Sequence, residues 1–294
     1  MATSTSFTKV LITGATGNVG IAILKALQHK NHQLDIIAGI RDLESKSKNL
    51  SDYMVSFEKF DFTDTLTYKP ALQNCDILFL LKPPQISNTK KYFEPLVHAA
   101  KDNGVKHIIF LSVQGVEKSS IIPHHKIEKQ IIASGIPYTF LRPAYFMQNF
   151  TTTLHNDLVN KERIFLPAGK AKFTLVDVTD IGNVTAKILS DVTMYQNKCF
   201  ELTSSLKLTF KEMAQELSRG LGIYIAYKSP NLFNFYFAKR KEKFSPGYTL
   251  VLIMLHYFPR FQKEPSVTDC VKKITGIEPL EFDQFVNNNK TFLI

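Results

Sequence analysis

The sequence predicts a doubly wound, parallel α/β sheet with a smaller mixed lobe behind it, and three observations carry that prediction. Short apolar runs alternate with stretches of helical periodicity over the first 145 residues. A glycine-rich turn joins the first run to the first of those stretches. Two later runs, at 75–81 and 107–112, are apolar almost throughout, as strands covered on both faces must be.

The elements follow in order. Residues 7–13 (FTKVLIT) form the first strand and stop at Gly14. Residues 19–28 set Val19, Ile23, Leu24 and Leu27 on one helical face. LDIIAGI at 34–40 and CDILFLL at 75–81 are the next strands. A helix over 92–102 closes at Asn103-Gly104, HIIFLS at 107–112 is a buried strand, and a helix over 126–133 ends at Ser134-Gly135. IPYTFL at 136–141 begins the following strand. Alternation of this kind implies right-handed βαβ crossovers.

Beyond Arg142-Pro143 the rhythm loosens. Residues 183–189 continue a helix and 200–203 form a short strand. Thr209-Phe210-Lys211-Glu212 fits a capping box, opening a helix that runs to Arg219 and stops at Gly220. Residues 231–261, with nine Phe and Tyr, read as helices lying over the carboxyl edge of the sheet. No repeat or linker interrupts the chain. The expected division is 1–150 as the nucleotide-type domain and 151–294 as a segment that completes the sheet and forms the lobe, on one shared core.

Composition narrows the class. A chain of 294 residues, 44% hydrophobic and 21% charged, folds without staples. Cys75, Cys199 and Cys270 lie far apart, with no metal-ligand spacing, so neither a disulfide framework nor a metal site is expected. The start lacks a signal pattern, and the longest apolar run, 248–258, is about half the length a bilayer crossing needs. These features predict a soluble cytoplasmic protein. The net charge of +10 is concentrated between Lys228 and Lys263, where seven Lys and Arg face the single acid Glu242. Its focus, Lys239–Lys243 (KRKEK), is read as a solvated helix face, since no nucleic-acid-reading motif accompanies it.

The strongest motif is Gly14-Ala15-Thr16-Gly17-Asn18-Val19-Gly20, directly after a strand and before a helix. Gly14 permits the tight turn, Gly17 lets the backbone approach a pyrophosphate, and Gly20 lets the helix pack close to the sheet. The N–H groups at the helix start, with the helix dipole behind them, then hold the diphosphate. A site selective for NAD carries Asp or Glu at the end of the second strand. Here Arg41 stands there, able to pair with a 2′-phosphate, and Lys46 and Lys48 follow, so NADP(H) is the expected cofactor.

TGATGNVG at 13–20, IRD at 40–42, FLLKPP at 79–84 and SGIPYTFLRPAYFMQNF at 134–150 resemble the NmrA-like family of atypical short-chain dehydrogenases. VKKITGIEPLEFDQFV near the end also resembles that family's last helices, so the likeness runs nearly end to end. The resemblance implies a Rossmann-like domain with a small C-terminal α+β substrate lobe, in a family that includes NADPH-dependent quinone reductases and redox-sensing regulators. By it, Ala15–Val19 contact the diphosphate, Arg41 the 2′-phosphate, and Asp61 and Phe62 the adenine. Leu81, Lys82 and Pro83 line the cofactor, Ser112 lies near the nicotinamide, and Tyr145 and Phe146 close over it.

Short-chain dehydrogenases acting on alcohols use a Tyr and a Lys four residues apart on one helix, the cation favouring the phenolate. The helix where that pair belongs carries His124 and Glu128 instead, and the Tyr-x-x-x-Lys at Tyr224–Lys228 falls in the lobe as a coincidence. His124, oriented by Glu128, is the candidate proton donor. Quinone reduction needs no such pair, only an acceptor held against the nicotinamide and a proton for the product oxygen. The aromatic residues of the lobe, Phe150, Phe233, Phe235, Tyr236 and Phe237 among them, suit a flat ring. Two functions follow from the sequence: an NADPH-dependent reductase of quinones or related conjugated carbonyls, or a non-catalytic NADP(H) sensor. The partners so implied are a small apolar or aromatic substrate, a regulatory protein for a sensor, and a second copy in a homodimer. Neither membrane nor nucleic acid is expected.

Overall fold

A computed structural model describes residues 7–28, 33–46, 50–118 and 120–294. It divides into two compact units, and the chain passes repeatedly from one to the other. The first comprises Met1–Pro143, Val178–Leu202 and Cys270–Gly276; the second comprises Ala144–Asp177, Thr203–Asp269 and Ile277–Ile294. The chain thus changes units at Pro143-Ala144, ahead of the expected boundary at 150, and returns twice.

The first unit is built on β1 (Thr8–Thr13), β2 (Leu34–Ile40), β3 (Ser56–Lys59), β4 (Ile77–Leu81), β5 (His107–Leu111), β6 (Tyr138–Pro143) and β10 (Lys198–Leu202). They form one seven-stranded sheet in the order β10-β6-β5-β4-β1-β2-β3, parallel at every pairing. The order reverses between β1 and β4, the switch point of a doubly wound sheet. Its helices are α1 (Asn18–Gln28), α2 (Leu43–Lys46), α3 (Tyr68–Ala71), α4 (Thr89–Asp102), α5 (Pro123–Ser134), α7 (Val178–Ser190) and α11 (Cys270–Thr275).

The apolar periods fall where burial requires them. All five residues of β5 are buried, and α1 buries Val19, Ile23, Leu24 and Leu27. Each such aliphatic side chain contributes about 1.5–3 kcal/mol. Helix α7 packs on α1 through Gly182, where a Cβ would sit 2.5 Å from the Ala22 carbonyl oxygen. Strand β3 (SFEK) escapes sequence reading because it is an edge strand: its residues are exposed or half-buried and carry no apolar run.

The second unit holds β7 (Tyr145–Phe146), β8 (Arg163–Phe165), β9 (Lys172–Val176), β11 (Lys207–Thr209) and β12 (Ala226–Lys228), in two small sheets ordered β11-β9-β7 and β12-β8. Around them lie α6 (His155–Lys161), α8 (Phe210–Leu221), α9 (Leu232–Lys241), α10 (Pro246–Tyr257), α12 (Phe282–Asn288) and α13 (Lys290–Leu293). Thr209 and Glu212 form the expected capping box, but α8 does not stop at Gly220. It continues to Leu221, and Gly222, at φ 75°, takes the left-handed cap. Gly220 is kept small by packing, because a Cβ there would meet Val286 at 2.5 Å.

One apolar cluster, with Leu11, Leu78, Phe110 and Phe140 among its members, lies within the first unit, and another, with Met147, Phe150, Phe210 and Phe285, within the second. The basic run 239–243 is not uniformly solvated. Lys239 is only 2% exposed and is ion-paired with Asp157 and, at 2.8 Å, with Glu242. Tyr224–Lys228 is not helical: Tyr224 is exposed and Ala226–Lys228 is strand β12, so the Tyr and the Lys share no helical face.

Candidate cofactor site

The cradle is set by β1 and the turn after it. Thr13 ends the strand with its side chain turned to β4: its hydroxyl donates to the Phe79 carbonyl at 3.0 Å and accepts from the Leu81 N–H at 2.9 Å. Sequence reading passed over this residue, yet it ties the glycine turn to the end of β4. Gly14 then adopts φ 66°, with the Leu81 side chain 3.3 Å from where its Cβ would be. The Gly17 N–H donates to the Gly14 carbonyl at 3.0 Å, and the Ile21 N–H donates to that of Gly17 at 2.9 Å. Between them, the N–H groups of Asn18, Val19 and Gly20 find no acceptor among the described residues, as the first turn of a helix requires of an anion site. Gly20 leaves no room: a Cβ would lie 2.5 Å from both the Ala15 Cα and the Gly14 oxygen.

The strand register brings the other expected residues to the same edge. Gly14 follows Thr13, which pairs with Gly39, and Arg41 follows Ile40 at the end of β2. Lys82 follows Leu81, which pairs with Leu111, and Ser112 follows Leu111. The four therefore stand just beyond the carboxyl ends of β2, β1, β4 and β5, neighbours in the sheet around its switch point. Arg41 is exposed; Lys48 lies outside the described residues. The Asp61 carboxylate accepts from the Thr63 N–H and hydroxyl, both at 2.8 Å, and so fixes its own turn. The Phe62 ring is buried against Phe60 and Phe93.

Two orphaned polar atoms mark the same edge. The Ser112 hydroxyl and His124 Nδ1 are buried without a hydrogen-bond partner. Buried polar groups are normally paired, so these fit a bound polar group. His124 stacks on Phe110, with ring centroids 6.0 Å apart. Burial, reinforced by the positive charge of Lys82, lowers its pKa to about 3. Glu128 does not orient it, because both Glu128 oxygens accept from Arg142, at 2.7 and 3.1 Å. His124 was expected as a proton donor near neutral pH; burial holds its ring neutral there. Lys82 is drawn toward the neutral range. Its Nζ donates to the Pro83 and Ile86 carbonyls at 2.9 and 3.0 Å, and burial lowers its pKa to about 8.

In the second unit, Tyr145 and Phe146 form β7, alongside Leu175 and Val176 of β9. The Tyr145 hydroxyl is hydrogen-bonded to His256 Nε2 at 3.2 Å, and its ring contacts Phe173 and Phe210 edge-on. Burial pushes the Tyr145 phenol up and lowers His256 to about 4, so both are neutral near pH 7.

Three histidines, His107, His124 and His256, are thus held neutral by burial, at about 4, 3 and 4. Their folded pKa values lie below the unfolded value of 6.5, so the unfolded chain binds the extra protons as pH drops. Stability is expected to be undiminished by these groups above pH 6.5 and to fall from there to about pH 3, each histidine contributing up to a few kcal/mol. Urea midpoints measured across that range check it, and a flat profile would refute the burial of these rings.

The family model for the NmrA-like family matches residues 6–236. The chain belongs to the NmrA-like family. This NmrA-like chain is 28% identical over 287 residues to prestalk A differentiation protein A of Dictyostelium discoideum, covering 97% of itself and 94% of that protein. It is 25% identical over 224 residues to quinone oxidoreductase 2 of Escherichia coli, covering 75% of itself and 77% of the relative. In fold it is similar to the crystal structure of Citrobacter sp. triphenylmethane reductase complexed with NADP(H), with TM-score 0.84, 24% identity, and coverage of 96% of this chain and 99% of that one. The seven-stranded parallel sheet is accordingly the Rossmann-like sheet that the NmrA-like motifs implied.

Proposed function

We propose that this chain is an NADPH-dependent oxidoreductase acting on quinones or related conjugated carbonyls. The observation that carries the reading is the anion cradle at Gly14–Gly20 aligned on one sheet edge with Arg41, Lys82 and Ser112. A reductase name on a relative 25% identical over three-quarters of the chain supports the same class.

In this reading the N–H groups of Asn18, Val19 and Gly20 hold the diphosphate and Arg41 pairs with the 2′-phosphate. Asp61 and the Phe62 backbone border the adenine, and Leu81, Lys82 and Pro83 flank the rest of the dinucleotide. The Ser112 hydroxyl and His124 Nδ1 gain the partners they lack. When bound, the reduced nicotinamide supplies a hydride. The proton for the product oxygen is held at Lys82 Nζ, which is largely charged near neutral pH because its pKa lies near 8.

Titration of NADPH and NADH into the protein tests the cofactor assignment. NADPH should bind about 10–100-fold more tightly, the worth of charge-assisted bonds to one phosphate, and Arg41→Ala should erase the difference. Equal affinities in the unaltered protein would refute it. With a quinone acceptor, kcat should fall as pH rises through about 8, where Lys82 loses its proton, and Lys82→Met should lower kcat about 100-fold or more. A second reading, that of a redox sensor, is favoured by the commitment of Glu128 to Arg142, which leaves α5 without an acid–base pair. Tight NADPH binding with no acceptor-dependent oxidation would select it.

A further inference from the structure

Helix α10 is anomalous as a surface helix. Its twelve residues (PGYTLVLIMLHY) include no Lys, Arg, Asp or Glu, and its histidine, His256, is buried with Nδ1 bonded to the Leu252 carbonyl. One face, Thr249, Leu252 and His256, is buried within the second unit. The opposite face is apolar too. Leu250, Met254, Phe258 and Phe261 recur at helical spacing along α10 and the 3₁₀ turn that follows, with Leu255 beside them, and these five are 43–70% exposed. A helix apolar all round is ordinarily covered all round, and an exposed stripe of this extent marks a docking surface.

The rim says what covers it. Arg240, Lys241 and Lys243 lead into α10 and Arg260 and Lys263 leave it, all exposed. The only acid among them, Glu242, is taken up by ion pairs with Lys161 and Lys239. The next, Glu264, is held by Lys172 and Lys207. The Arg260 guanidinium lies over the Tyr257 ring, 4.9 Å from its centroid, so charge and apolar surface interleave.

We propose that this face lies on an anionic lipid surface, with Leu250, Met254, Leu255, Phe258 and Phe261 at the acyl boundary and the five basic side chains among the headgroups. Among the described residues no helix is long and apolar enough to cross a membrane, so the contact is interfacial. It revises the expectation that no membrane is engaged, and it does not rest on the reductase reading. A second copy fits worse, since a two-fold contact would set the same five cations against themselves. A single-stranded nucleic acid fits worse too, since Leu250, Met254 and Leu255 offer its bases no stacking plane.

The test is co-sedimentation with vesicles of phosphatidylcholine alone and of phosphatidylcholine mixed with phosphatidylserine. The protein should sediment with the mixed vesicles only and be released by added salt. Lys241→Gln with Lys243→Gln should lower partitioning about 25-fold, at about 1 kcal/mol per neutralised charge. Leu250→Ser, Met254→Ser and Phe258→Ser together should bring it to background with circular dichroism and melting unchanged. The proposal is overturned by sedimentation equal on both vesicles or absent from both, or by full binding of the stripe variant. It is equally overturned if sedimentation equilibrium shows a dimer that the stripe variant dissociates, or if a single-stranded oligonucleotide displaces the vesicles.

Discussion

Alanine at Gly20 is expected to lower NADPH affinity by about 10–100-fold and to destabilise the protein by about 1–3 kcal/mol or more. The methyl would lie 2.5 Å from the Gly14 oxygen and the Ala15 Cα, and 2.6 Å from the Ala15 oxygen. All three atoms belong to the backbone of the cradle, so no side chain can swing aside. Relief must come from displacing the turn whose N–H groups are proposed to hold the diphosphate, which would remove one or two charge-assisted hydrogen bonds. Gly17→Ala is the control: its Cβ would meet only the Gly14 oxygen, at 3.3 Å, and its effect on both quantities should be smaller. Calorimetric titration and thermal melting of the two variants decide the matter. An unchanged NADPH affinity in Gly20→Ala would remove the cradle from the cofactor site.

The second large effect lies in the other unit. Asp157 is almost wholly buried and gathers Lys239, Arg163 at 3.0 Å and Lys161 at 3.3 Å, while Lys239 also reaches Glu242. Burial alone would push the Asp157 carboxyl up. The hydrogen bond and charge of Lys239, helped by Arg163 and Lys161, hold it below the ordinary range. A depressed carboxylate contributes stability above its unfolded pKa and loses it only as pH falls below that value. The network therefore persists through most of the window in which the histidines protonate. Asp157→Ala leaves Lys239 buried with Glu242 alone, and about 3–5 kcal/mol of stability should be lost. Asp157→Leu combined with Lys239→Met removes both charges and fills the space, and should lose much less. Chemical denaturation of the single and double variants measures it; a double variant as unstable as Asp157→Ala would show that the buried charges are not what the single substitution exposes.

Much of the first unit was legible because its signals are local. The strand at 34–40 matches its apolar run residue for residue, and the other main strands and helices shift by a few residues at their ends. The glycine turn is legible for the same reason, since each glycine answers a constraint within seven residues of chain. What escaped reading has distant causes. Strand β3 is an edge recognisable only by its partner β2, and Gly220 is small because of Val286, far along the chain. Lys239 looked like one more surface lysine until Asp157, 82 residues earlier, proved to be its partner.

The amino-acid order by itself determined the parallel sheet, the glycine turn and the basic residue that follows the second strand. Periodicity, turn chemistry and adjacency are properties of neighbours in the chain. Tertiary structure alone decided which groups carry charge. Burial beside Lys82 makes His124 neutral, Arg142 takes Glu128 away from it, and the carbonyls of Pro83 and Ile86 enclose the Lys82 ammonium. Ionisation follows desolvation and the nearest partner in space, and neither exists until the strands that bring those residues together have paired.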